Sequence, residues 1–450
     1  MQHDLAETRR ILETQGIDVV RLVFSDLHGM PRSKDLLVSQ LERSGAHGPA
    51  FCEATWVTNT RGGVLTAEAG LDDALPDMIS KLDTDTIRPI PWLPGVAFAI
   101  ADIDHADGSR SEIAPRAVLR SVLDEYDALG LTPICGPELE FYFAREVDGR
   151  YERILNKTGR VYMTGAQVDP DGHYLHLLRC LDQLNIGAFA GNHEFCPSQY
   201  EINLWHSEAM DAADRTFLFK TTIKDVLASR GVLGTFIGKP WNDEGGSGFH
   251  LHFSVNSGSG VNLMGTPNGE LSDMAQQMIA GVLAHAPAIA AFTNPTVNSY
   301  KRLGPDTMAP YRNTWGYDNR SAMIRVPPER GAGTRLELRI GDGSANPYIV
   351  IAVVLAAALD GIKNKMTAPE PVVGWSYTDT VHGEVLPMSL GDALDALAQD
   401  QELRKHLSNK FIDVFTALKR DEVARYEAEV EDPSTREVTQ WELDEYIRDL

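Results

Sequence analysis

The sequence has few cysteines. It contains four in 450 residues, and no two of them form a CxxC pair: Cys52, Cys135, Cys180 and Cys196. The chain is too large to need disulfide cross-links, and this pattern fits free thiols in a reducing cytoplasm. A chain of this length forms a hydrophobic core without covalent cross-links, and we expect two or three domains.

Positive charge and long apolar runs are also scarce. Lys and Arg number 41 against 64 Asp and Glu, which gives a net charge of -23. A surface this acidic repels nucleic acid and anionic membranes, so we expect neither as a partner. No run approaches the roughly 20 apolar residues that a transmembrane helix needs, and the charged N-terminal stretch is unlike a signal peptide. We therefore expect a cytoplasmic protein.

The order of helical and alternating patterns predicts an α+β fold. A small mixed unit precedes a boundary near residues 104–114, and Pro115 then begins a helix that ends before Gly130. Beyond it, the patterns predict strands at 138–143, 199–204, 249–255, 322–326 and 335–340. They predict helices at 209–229, 272–285, 348–363 and 390–398. The longest apolar run, 349–359, is typical of a buried core helix.

Two glutamates in the first of these strands give the sharpest chemical signal. Glu138 and Glu140 are two residues apart, so they share one face of the strand while Leu139 and Phe141 share the other. Neighbouring carboxylates repel each other, and a divalent cation between them relieves that repulsion. An ordinary solvated strand face would give the same pattern, so this motif alone leaves both interpretations open.

Three further segments repeat this arrangement. His250 and His252 alternate with apolar residues, as do Arg335, Glu337 and Arg339. The remaining segment contains acidic residues and spans 192–194 and 199–201. Taken singly, the histidines could be core residues and the arginine–glutamate series a structural ion-pair ladder. Gathered on one sheet, the four segments predict a cleft in which carboxylates and histidines bind metal ions and arginines bind phosphoryl groups.

Competing nucleotide-binding and hydrolase motifs are missing from the sequence. Residues 234–239 resemble a P-loop, but the spacing is one residue short and Pro240 stands where Ser or Thr is required. There is no GxGxxG that opens a helix and no GxSxG nucleophile elbow.

The clusters, in this order, resemble the motifs of the glutamine synthetase family in its bacterial class I form. The resemblance spans nearly the whole chain and includes segments 77–92, 138–140, 246–250, 294–302, 315–327 and 346–348. It implies an N-terminal β-grasp domain over 1–110 and a catalytic domain over 111–450. It also implies a homo-oligomer of twelve subunits in two hexameric rings, in which each active site lies between neighbouring subunits.

The resemblance also implies the roles of individual residues. One metal ion would be bound by Glu140, Glu194 and Glu201, and a second by Glu138, His250 and Glu337. ATP would contact His252, Ser254, Arg325 and Arg335. Glutamate or the transferred phosphoryl group would be held by Gly246, Arg302, Arg320 and Arg339, of which Arg302 and Arg320 are the candidate catalytic residues. Tyr162 matches a family tyrosine near the nitrogen site.

The implied reaction joins the side-chain carboxylate of L-glutamate to a nitrogen nucleophile. The resemblance implies Mg2+ or Mn2+ as the cofactor and ATP as a substrate. The glutamate γ-carboxylate first attacks the γ-phosphorus of ATP to give γ-glutamyl phosphate, and the nucleophile then displaces phosphate. The phosphoryl step is needed because a free carboxylate is a poor electrophile.

Two departures from the family pattern lie at the nitrogen end. The family has an ammonium-binding aspartate where this sequence has Cys52, with Glu53 directly after it. It has a glutamate on a flap, just before an Ala-Pro pair, where this sequence has Met308. Methionine cannot attract ammonium or accept a proton, but it packs against an alkyl group.

These departures predict an organic amine as the nucleophile, as in the glutamate–amine ligases of the family such as γ-glutamylpolyamine synthetase. The alternative is an ammonia-using glutamine synthetase in which Glu53 or Asp306 restores the lost charge. A non-catalytic structural relative is a third possibility, although all six candidate metal ligands are present. The sequence does not identify the amine, which could be ethanolamine, an alkylamine, a polyamine or an aromatic amine.

Overall fold

The computed structural model describes residues 4–45, 47–65, 70–71, 74–157, 160–305, 307–378 and 381–450. Its helices are α1 Leu5–Thr14, α2 Leu41–Gly45, α3 Pro115–Asp127, α4 His173–Gln183, α5 Ala209–Ser229, α6 Asp273–Ala284, α7 Ala286–Thr293, α8 Pro347–Lys363, α9 Leu390–Gln399, α10 Asn409–Glu429 and α11 Gln440–Tyr446. Its strands are β1 Val19–Ser25, β2 Pro31–Leu37, β3 Ala50–Cys52, β4 Asp77–Leu82, β5 Arg88–Pro89, β6 Val96–His105, β7 Leu131–Val147, β8 Arg150–Arg153, β9 Ala188–His193, β10 Gln199–Leu204, β11 Ser207–Glu208, β12 Leu233–Thr235, β13 Phe249–Ser257, β14 Trp315–Tyr317, β15 Ile324–Val326 and β16 Leu336–Leu338.

The first sheet lies before the predicted boundary. Its strand order is β2-β1-β6-β4-β3, with β5 also paired to β6, and β1 runs parallel to β6. Helix α1 precedes it. Asp4 caps its start, and Gly16 follows its end with a φ of 73° that favours glycine.

The segment 50–57 contributes a short strand and a helical turn. Strand β3 pairs with β4, and a single-turn helix covers Glu53–Val57. Phe51 and Trp56 hold this segment in place because both pack edge-on against Phe24. These are long-range aromatic contacts, which a search for local periodicity does not detect.

The second sheet has the order β14-β15-β16-β13-β7-β10-β9, and β8, β11 and β12 also pair with β7. Strand β7 is 17 residues long and runs well beyond the predicted 138–143 at both ends. The predicted strand 199–204 is confirmed, and 249–255 is confirmed with two further residues. The sheet is mainly antiparallel, so adjacent side chains on one face lie opposite each other in pairs.

Helix α8 forms the centre of the helical layer, as its apolar run predicts. It is buried from Pro347 to Gly361, and α3, α5, α6 and α7 pack against it. Close approach to α6 depends on Gly281 and Gly361, where a Cβ atom would lie 2.2 and 2.0 Å from backbone oxygens of the opposite helix. Among the described residues no single helix qualifies as a membrane span, and α6 with α7 does so only as a pair bent by 75°.

A buried arginine connects the two sheets. Arg116 on α3 is bonded to Asp214 on α5, to Asp102 on β6 and to Asp83, at 2.6 to 3.0 Å. The Tyr348 hydroxyl donates to Asp214 at 2.7 Å. The network ties the first sheet to the helices that support the second, so its loss affects the relative placement of both.

Replacement of Arg116 by Met is expected to lower the free energy of unfolding by about 3 kcal/mol, because three carboxylates lose the cation that they share. Urea denaturation followed by circular dichroism measures the change. Arg120→Met is the matched control, since Arg120 is 37% exposed and lies 3.9 Å from Asp102. Equal stability of the two variants would contradict a structural role for the network.

Candidate active site

The register of the second sheet gathers the predicted acidic and histidine residues on one face. Three cross-strand pairs do this: Glu140 with Glu201, Glu138 with His250, and Glu337 with His252. On β7 the opposite face carries Leu139 and Phe141, both fully buried against the helical layer. Apolar burial on one face therefore fixes which residues appear on the other.

Two groups on this face have the geometry of a metal site. Ligand atoms of Glu138, His250 and Glu337 lie within 4.8 Å of one another, and so do those of Glu140, Glu201 and His250. The first group contains the three residues predicted to share one ion. The second contains two of the three predicted for the other ion, with His250 in common between the groups.

Glu194, the remaining predicted ligand, is close to this cluster. Burial, together with the nearby charge of Glu140, raises the pKa of Glu194 to about 7. Burial raises the pKa of Glu140 despite the nearby Arg302. Burial also raises the pKa of Glu201 to about 10, and the charge of Glu138 adds to this increase. These three carboxylates are too crowded for all to ionise without a cation.

The pKa values of two other carboxylates in this cluster are lowered. Burial opposes ionisation of Glu138, but a hydrogen bond from His252 lowers its pKa to about 2. Burial likewise opposes ionisation of Glu337. The charges of Arg339 and the histidines outweigh the effect of burial, so the pKa of Glu337 is about 2. Burial and Arg339 hold the pKa of His250 well below its usual value, so its imidazole is neutral and able to coordinate a metal.

This donor set fits hard divalent cations. Carboxylate oxygens with one imidazole suit Mg2+ or Mn2+, and a bound cation would relieve the repulsion that raises the pKa values of Glu140, Glu194 and Glu201. Glu138, His250 and Glu337 would hold one ion, and Glu140 and Glu201 would hold the other beside Glu194. No thiolate lies in either group of the described residues.

Two amide side chains orient these carboxylates, and the sequence reasoning did not identify them as functional. Asn203 donates to Glu138 at 3.1 Å and to Glu201 at 2.9 Å. Gln199 donates to Glu140 at 3.2 Å, and the backbone N–H of Gly248 donates to the same carboxylate at 2.7 Å. The signal was present, since residues 199, 201 and 203 alternate onto one face of β10.

The predicted arginines are distributed around this centre. Arg325 donates to Glu337 at 2.6 Å and Arg339 is paired with the other oxygen of that carboxylate. Arg302 is buried, donates to the backbone oxygen of Ile340 at 2.9 Å, and packs so tightly on Gly246 that a Cβ atom there would lie 2.6 Å from its Cγ. Glycine at 246 is thus needed for the position of Arg302.

Arg320 differs from the other arginines because it is exposed. Its backbone oxygen accepts from Arg339 at 3.0 Å, which holds it beside the cluster. In the part of the chain that the structure describes, its guanidinium makes no hydrogen bond or ion pair. It is therefore available to bind an anion.

A cleft of about 510 Å³ opens next to Glu138, and its lining includes the predicted ATP contacts His252, Ser254 and Arg335. Arg325, the fourth predicted contact, does not line the cleft. Arg335 donates to Nδ1 of His252 at 3.1 Å, and Nε2 of His252 lies 3.1 Å from Glu138. This chain of contacts connects the cleft to the metal cluster.

Two aromatic residues that sequence reasoning missed stand at the rim of this cleft. Phe189 and Trp205 stack at 4.1 Å between ring centroids, and both are about half exposed. Flat, accessible rings beside a charged cluster can bind a nucleobase by stacking while the arginine and metal groups bind phosphates. The cleft volume lies within the range of about 300–1,000 Å³ typical of ligand sites.

The four residues predicted for the amine pocket lie in two separate places. The backbone N–H of Tyr162 donates to the oxygen of His193 beside Glu194, and Met308 lies on the loop after Arg302. Cys52 is the last residue of β3, and Glu53 begins the single-turn helix that follows it. Cys52 is exposed and its thiol contacts the backbone oxygen of Leu75 at 3.7 Å, while Glu53 is buried. No contact joins Cys52 or Glu53 to the other two among the described residues. Asp306 lies outside the described residues.

Comparisons with known proteins identify the family of this chain. Residues 112–446 match the family model described as glutamine synthetase, catalytic domain. The chain is 35% identical over 447 residues to a glutamine synthetase of Pyrococcus horikoshii, covering 97% of each chain. It is 33% identical over 455 residues to one of Staphylococcus aureus, covering 98% of each.

Solved structures give the same result. A structure of GmaS in complex with ADP superposes with a TM-score of 0.85 and 30% identity over 99% of both chains. Apo GmaS superposes with a TM-score of 0.84 over 97% of this chain and 98% of that one. The chain therefore belongs to the glutamine synthetase family, and it is an ATP-dependent ligase of that family that forms a C–N bond.

Replacement of Glu201 by Gln is expected to lower the stabilisation by metal, because one of the two predicted ions loses a ligand, without destabilising the metal-free protein. The neutral amide removes a ligand, yet in the absence of metal it also removes a crowded acid whose pKa is about 10. Thermal unfolding with and without MnCl2 measures both effects. Glu270→Gln, at an exposed loop position, is the control and keeps the full metal-induced shift. An unchanged metal-induced shift in Glu201→Gln would contradict the assignment.

Replacement of Trp205 by Ala is expected to raise the KM for ATP by about tenfold or more, since a stacked base contributes about 1–3 kcal/mol. Trp205→Phe keeps a stacking surface and should stay within a few-fold of the wild type. Steady-state kinetics with varied ATP test this, and quenching of Trp205 fluorescence by ADP gives a second readout. If Trp205→Ala leaves ATP binding unchanged, the nucleobase does not bind at this rim.

Proposed function

We propose that the protein is a γ-glutamyl amide ligase that joins glutamate to an organic amine through γ-glutamyl phosphate. Glutamate, ATP and Mg2+ or Mn2+ are the other components. The observation that carries this proposal is the exposure of one apolar side chain on the loop after Arg302. That residue is Met308, 46% exposed, with a left-handed φ of 61°.

The position of Met308 in the chain, close after Arg302, is the reason that its side chain supports this proposal. Arg302 lies in the metal-proximal site against Gly246, and the chain reaches Met308 six residues later. The loop is braced by the Thr307 hydroxyl, which donates to the oxygen of Gly304 at 2.7 Å. A thioether here neither attracts a small cation nor accepts a proton, but it forms favourable contacts with a hydrocarbon group.

The likeness to GmaS supports the same proposal. The two chains superpose over almost their full lengths at 30% identity, and the GmaS structure contains ADP. A shared fold alone does not define a substrate. The proposal therefore depends on the substituted nitrogen end and not on the likeness by itself.

The arginines supply the charge stabilisation that phosphoryl transfer requires. A γ-carboxylate oxygen attacks the γ-phosphorus as the bond to the β-phosphate oxygen breaks and ADP leaves. Arg320, exposed and without a partner in the described part of the chain, is placed to bind the transferred group, and Arg339 is held beside it by Glu337. Bound divalent cations would neutralise phosphate oxygens.

The second step transfers the acyl group to nitrogen. The amine nitrogen attacks the acyl carbon of γ-glutamyl phosphate, the C–O bond to phosphate breaks, and the nitrogen gives one proton to the departing phosphate to form the amide. Arg302 is buried and has fixed contacts, so it can hold the glutamyl group in one orientation while this occurs.

Ammonia is the competing nucleophile, and one observation favours it. The curated relatives at 33–35% identity are named glutamine synthetase. In that case Glu53, or Asp306, would supply the charge that Met308 lacks. Cys52 and Glu53 would act on the site of an adjacent subunit, because neither contacts Tyr162 or Met308 within the described chain.

The assembly and domain limits belong to the same proposal. We interpret residues 1–110 as a β-grasp domain and 111–450 as the catalytic domain, and we propose a dodecamer of two hexameric rings. The exposed position of Cys52 on the first sheet is consistent with a site shared between subunits. Light scattering of the purified protein determines the subunit number.

The test of this function is phosphate release with glutamate, ATP and MgCl2 across a panel of amines that includes ammonium. We expect at least one organic amine to exceed ammonium by about tenfold or more in kcat/KM. Met308→Glu, which restores the family's acid, is expected to move the preference toward ammonium. Met308→Leu is the matched control and should preserve the wild-type order, since it keeps an apolar side chain of similar volume.

A clear advantage of ammonium over every amine in the wild type would instead identify a glutamine synthetase with an unusual flap. An absence of ADP formation with any nucleophile, in a protein that still binds MnCl2, would support the non-catalytic alternative.

A further inference from the structure

We propose that Lys220 is a positioning residue for the ligase reaction, although it belongs to the helical layer and does not line the cleft. From α5 its amino group holds the turn formed by residues 342–345, called the Asp342 turn below. This inference rests on the proposed function, because the turn lies against the backbone of residues proposed to bind glutamate and a metal ion. It applies equally whether the nucleophile is an amine or ammonia.

Lys220 is a charged residue in an apolar position. It is 4% exposed, and its amino group lies 5.3 Å from the centre of the Phe236 ring. Burial lowers the pKa of Lys220 to about 7, and the nearby Asp342 opposes this shift. Lysine is almost never fully buried unless its amino group is paired, because an unsatisfied donor is costly there. The partners of this amino group therefore indicate what the residue does.

The partners of Lys220 are two successive backbone oxygens at the end of the Asp342 turn. Its Nζ donates to the oxygen of Ser344 at 3.1 Å and to that of Ala345 at 3.0 Å. The N–H of Ala345 donates to the oxygen of Asp342 at 3.2 Å, which closes the turn. The N–H of Ser344 donates to the Asp342 carboxylate at 2.8 Å. These bonds make the turn one unit, so Lys220 fixes all of it.

The Asp342 turn packs against the strand of a predicted metal ligand and against the glycine-rich segment 245–248. A Cβ atom at Gly343 would lie 3.1 Å from the backbone oxygen of Glu140. The N–H of Gly343 donates to the oxygen of Ser247 at 3.1 Å, and Asp342 forms a β-bridge with Gly248. A displacement of the turn therefore moves this segment relative to the metal cluster.

The same stretch of chain also supports Arg302. The guanidinium of Arg302 donates at 2.9 Å to the backbone oxygen of Ile340, two residues before the turn begins. The N–H of Asp342 donates at 3.0 Å to the oxygen of Thr293, the last residue of α7, from which the chain leads to Arg302. The turn thus connects Arg302 to the backbone that carries the metal ligands.

Loss of the Lys220 amino group is expected to affect glutamate more than ATP. The oxygens of Ser344 and Ala345 would lose a donor in a buried place, where the turn can regain a partner only by moving. A displacement of about 1 Å in a reaction site can lower the rate by about 100-fold. The cleft that contains the predicted ATP contacts is not lined by the Asp342 turn, so ATP binding should be preserved.

The experiment compares Lys220→Met with Lys224→Met. Lys224 lies one helical turn further along α5, and burial lowers its pKa to about 7 as well. It also donates to two backbone oxygens, but these belong to Arg448 and Leu450 and not to the Asp342 turn. Lys220→Met is expected to raise the KM for glutamate and to lower kcat by about tenfold or more each, with the KM for ATP within about twofold. Lys224→Met should keep all three constants within about threefold of the wild type.

Two further variants test the same turn with smaller changes. Lys220→Gln keeps a hydrogen-bond donor without the charge, and its KM for glutamate should lie between those of the wild type and Lys220→Met. Gly343→Ala pushes the turn away from Glu140 while Lys220 stays intact, and it should also raise the KM for glutamate and not that for ATP. Gly258→Ala is its control, since the nearest atom to a Cβ there is 3.7 Å away.

Calorimetric titration of glutamate in the presence of MnCl2 and the non-hydrolysable ATP analogue AMP-PNP measures binding without turnover. The Kd for glutamate is expected to rise about tenfold in Lys220→Met and to stay near the wild-type value in Lys224→Met. Thermal unfolding of both variants shows how much stability each loses, so a loss of glutamate binding can be separated from a general weakening of the fold.

The outcomes separate the inference from the function on which it rests. Equal effects of Lys220→Met and Lys224→Met, or a parallel rise in the KM values for glutamate and ATP, would overturn the positioning role. If Lys220→Met does not fold, an unchanged KM for glutamate in both Lys220→Gln and Gly343→Ala would overturn it. Absence of glutamate-dependent ADP formation in the wild type, with every nucleophile, would instead overturn the proposed function.

Discussion

The repulsion among five carboxylates on one face of the second sheet is the constraint on which the rest of the site depends. Glu138 and Glu337 remain ionised because histidines and arginines are directed at them, while Glu140, Glu194 and Glu201 are not compensated to the same degree and their pKa values are raised. The protein alone does not balance this charge. The site is thus built for cations that arrive with the substrate, and the amides of Gln199 and Asn203 hold the oxygens in place until they do.

The site divides into two ends of different chemistry. The end beside the cleft is polar and cationic, with Arg335 and His252 linked to the metal cluster through direct contacts. The proposed amine end would be apolar, since Met308 on the loop after Arg302 is 46% exposed. A phosphoryl group and an amine make different demands, and the arrangement meets them with separate residues.

Much of the sheet could be predicted from the sequence, because a period of two is a local property. Glu138 and Glu140 share a face for the same reason that Leu139 and Phe141 are buried, and no tertiary information is needed to infer it. The roles of Gln199 and Asn203 were missed because amides carry no charge signature. Strand β3 and the position of Trp205 were missed because each depends on a distant partner, Asp77 for Cys52 and Phe189 for Trp205.

The contrast between strand register and loop tips has a consequence for how this enzyme can change over evolutionary time. A single inserted residue in β7 would shift Glu138 and Glu140 to the buried face together and eliminate the phosphoryl chemistry at one stroke. The residues proposed for the nitrogen site, such as Tyr162 and Met308, lie on separate loops, where each can be exchanged alone. Single substitutions in these loops can therefore change the nucleophile without changing the residues that activate the carboxylate. We expect the nitrogen substrates of such enzymes to diversify faster than the acid that they activate.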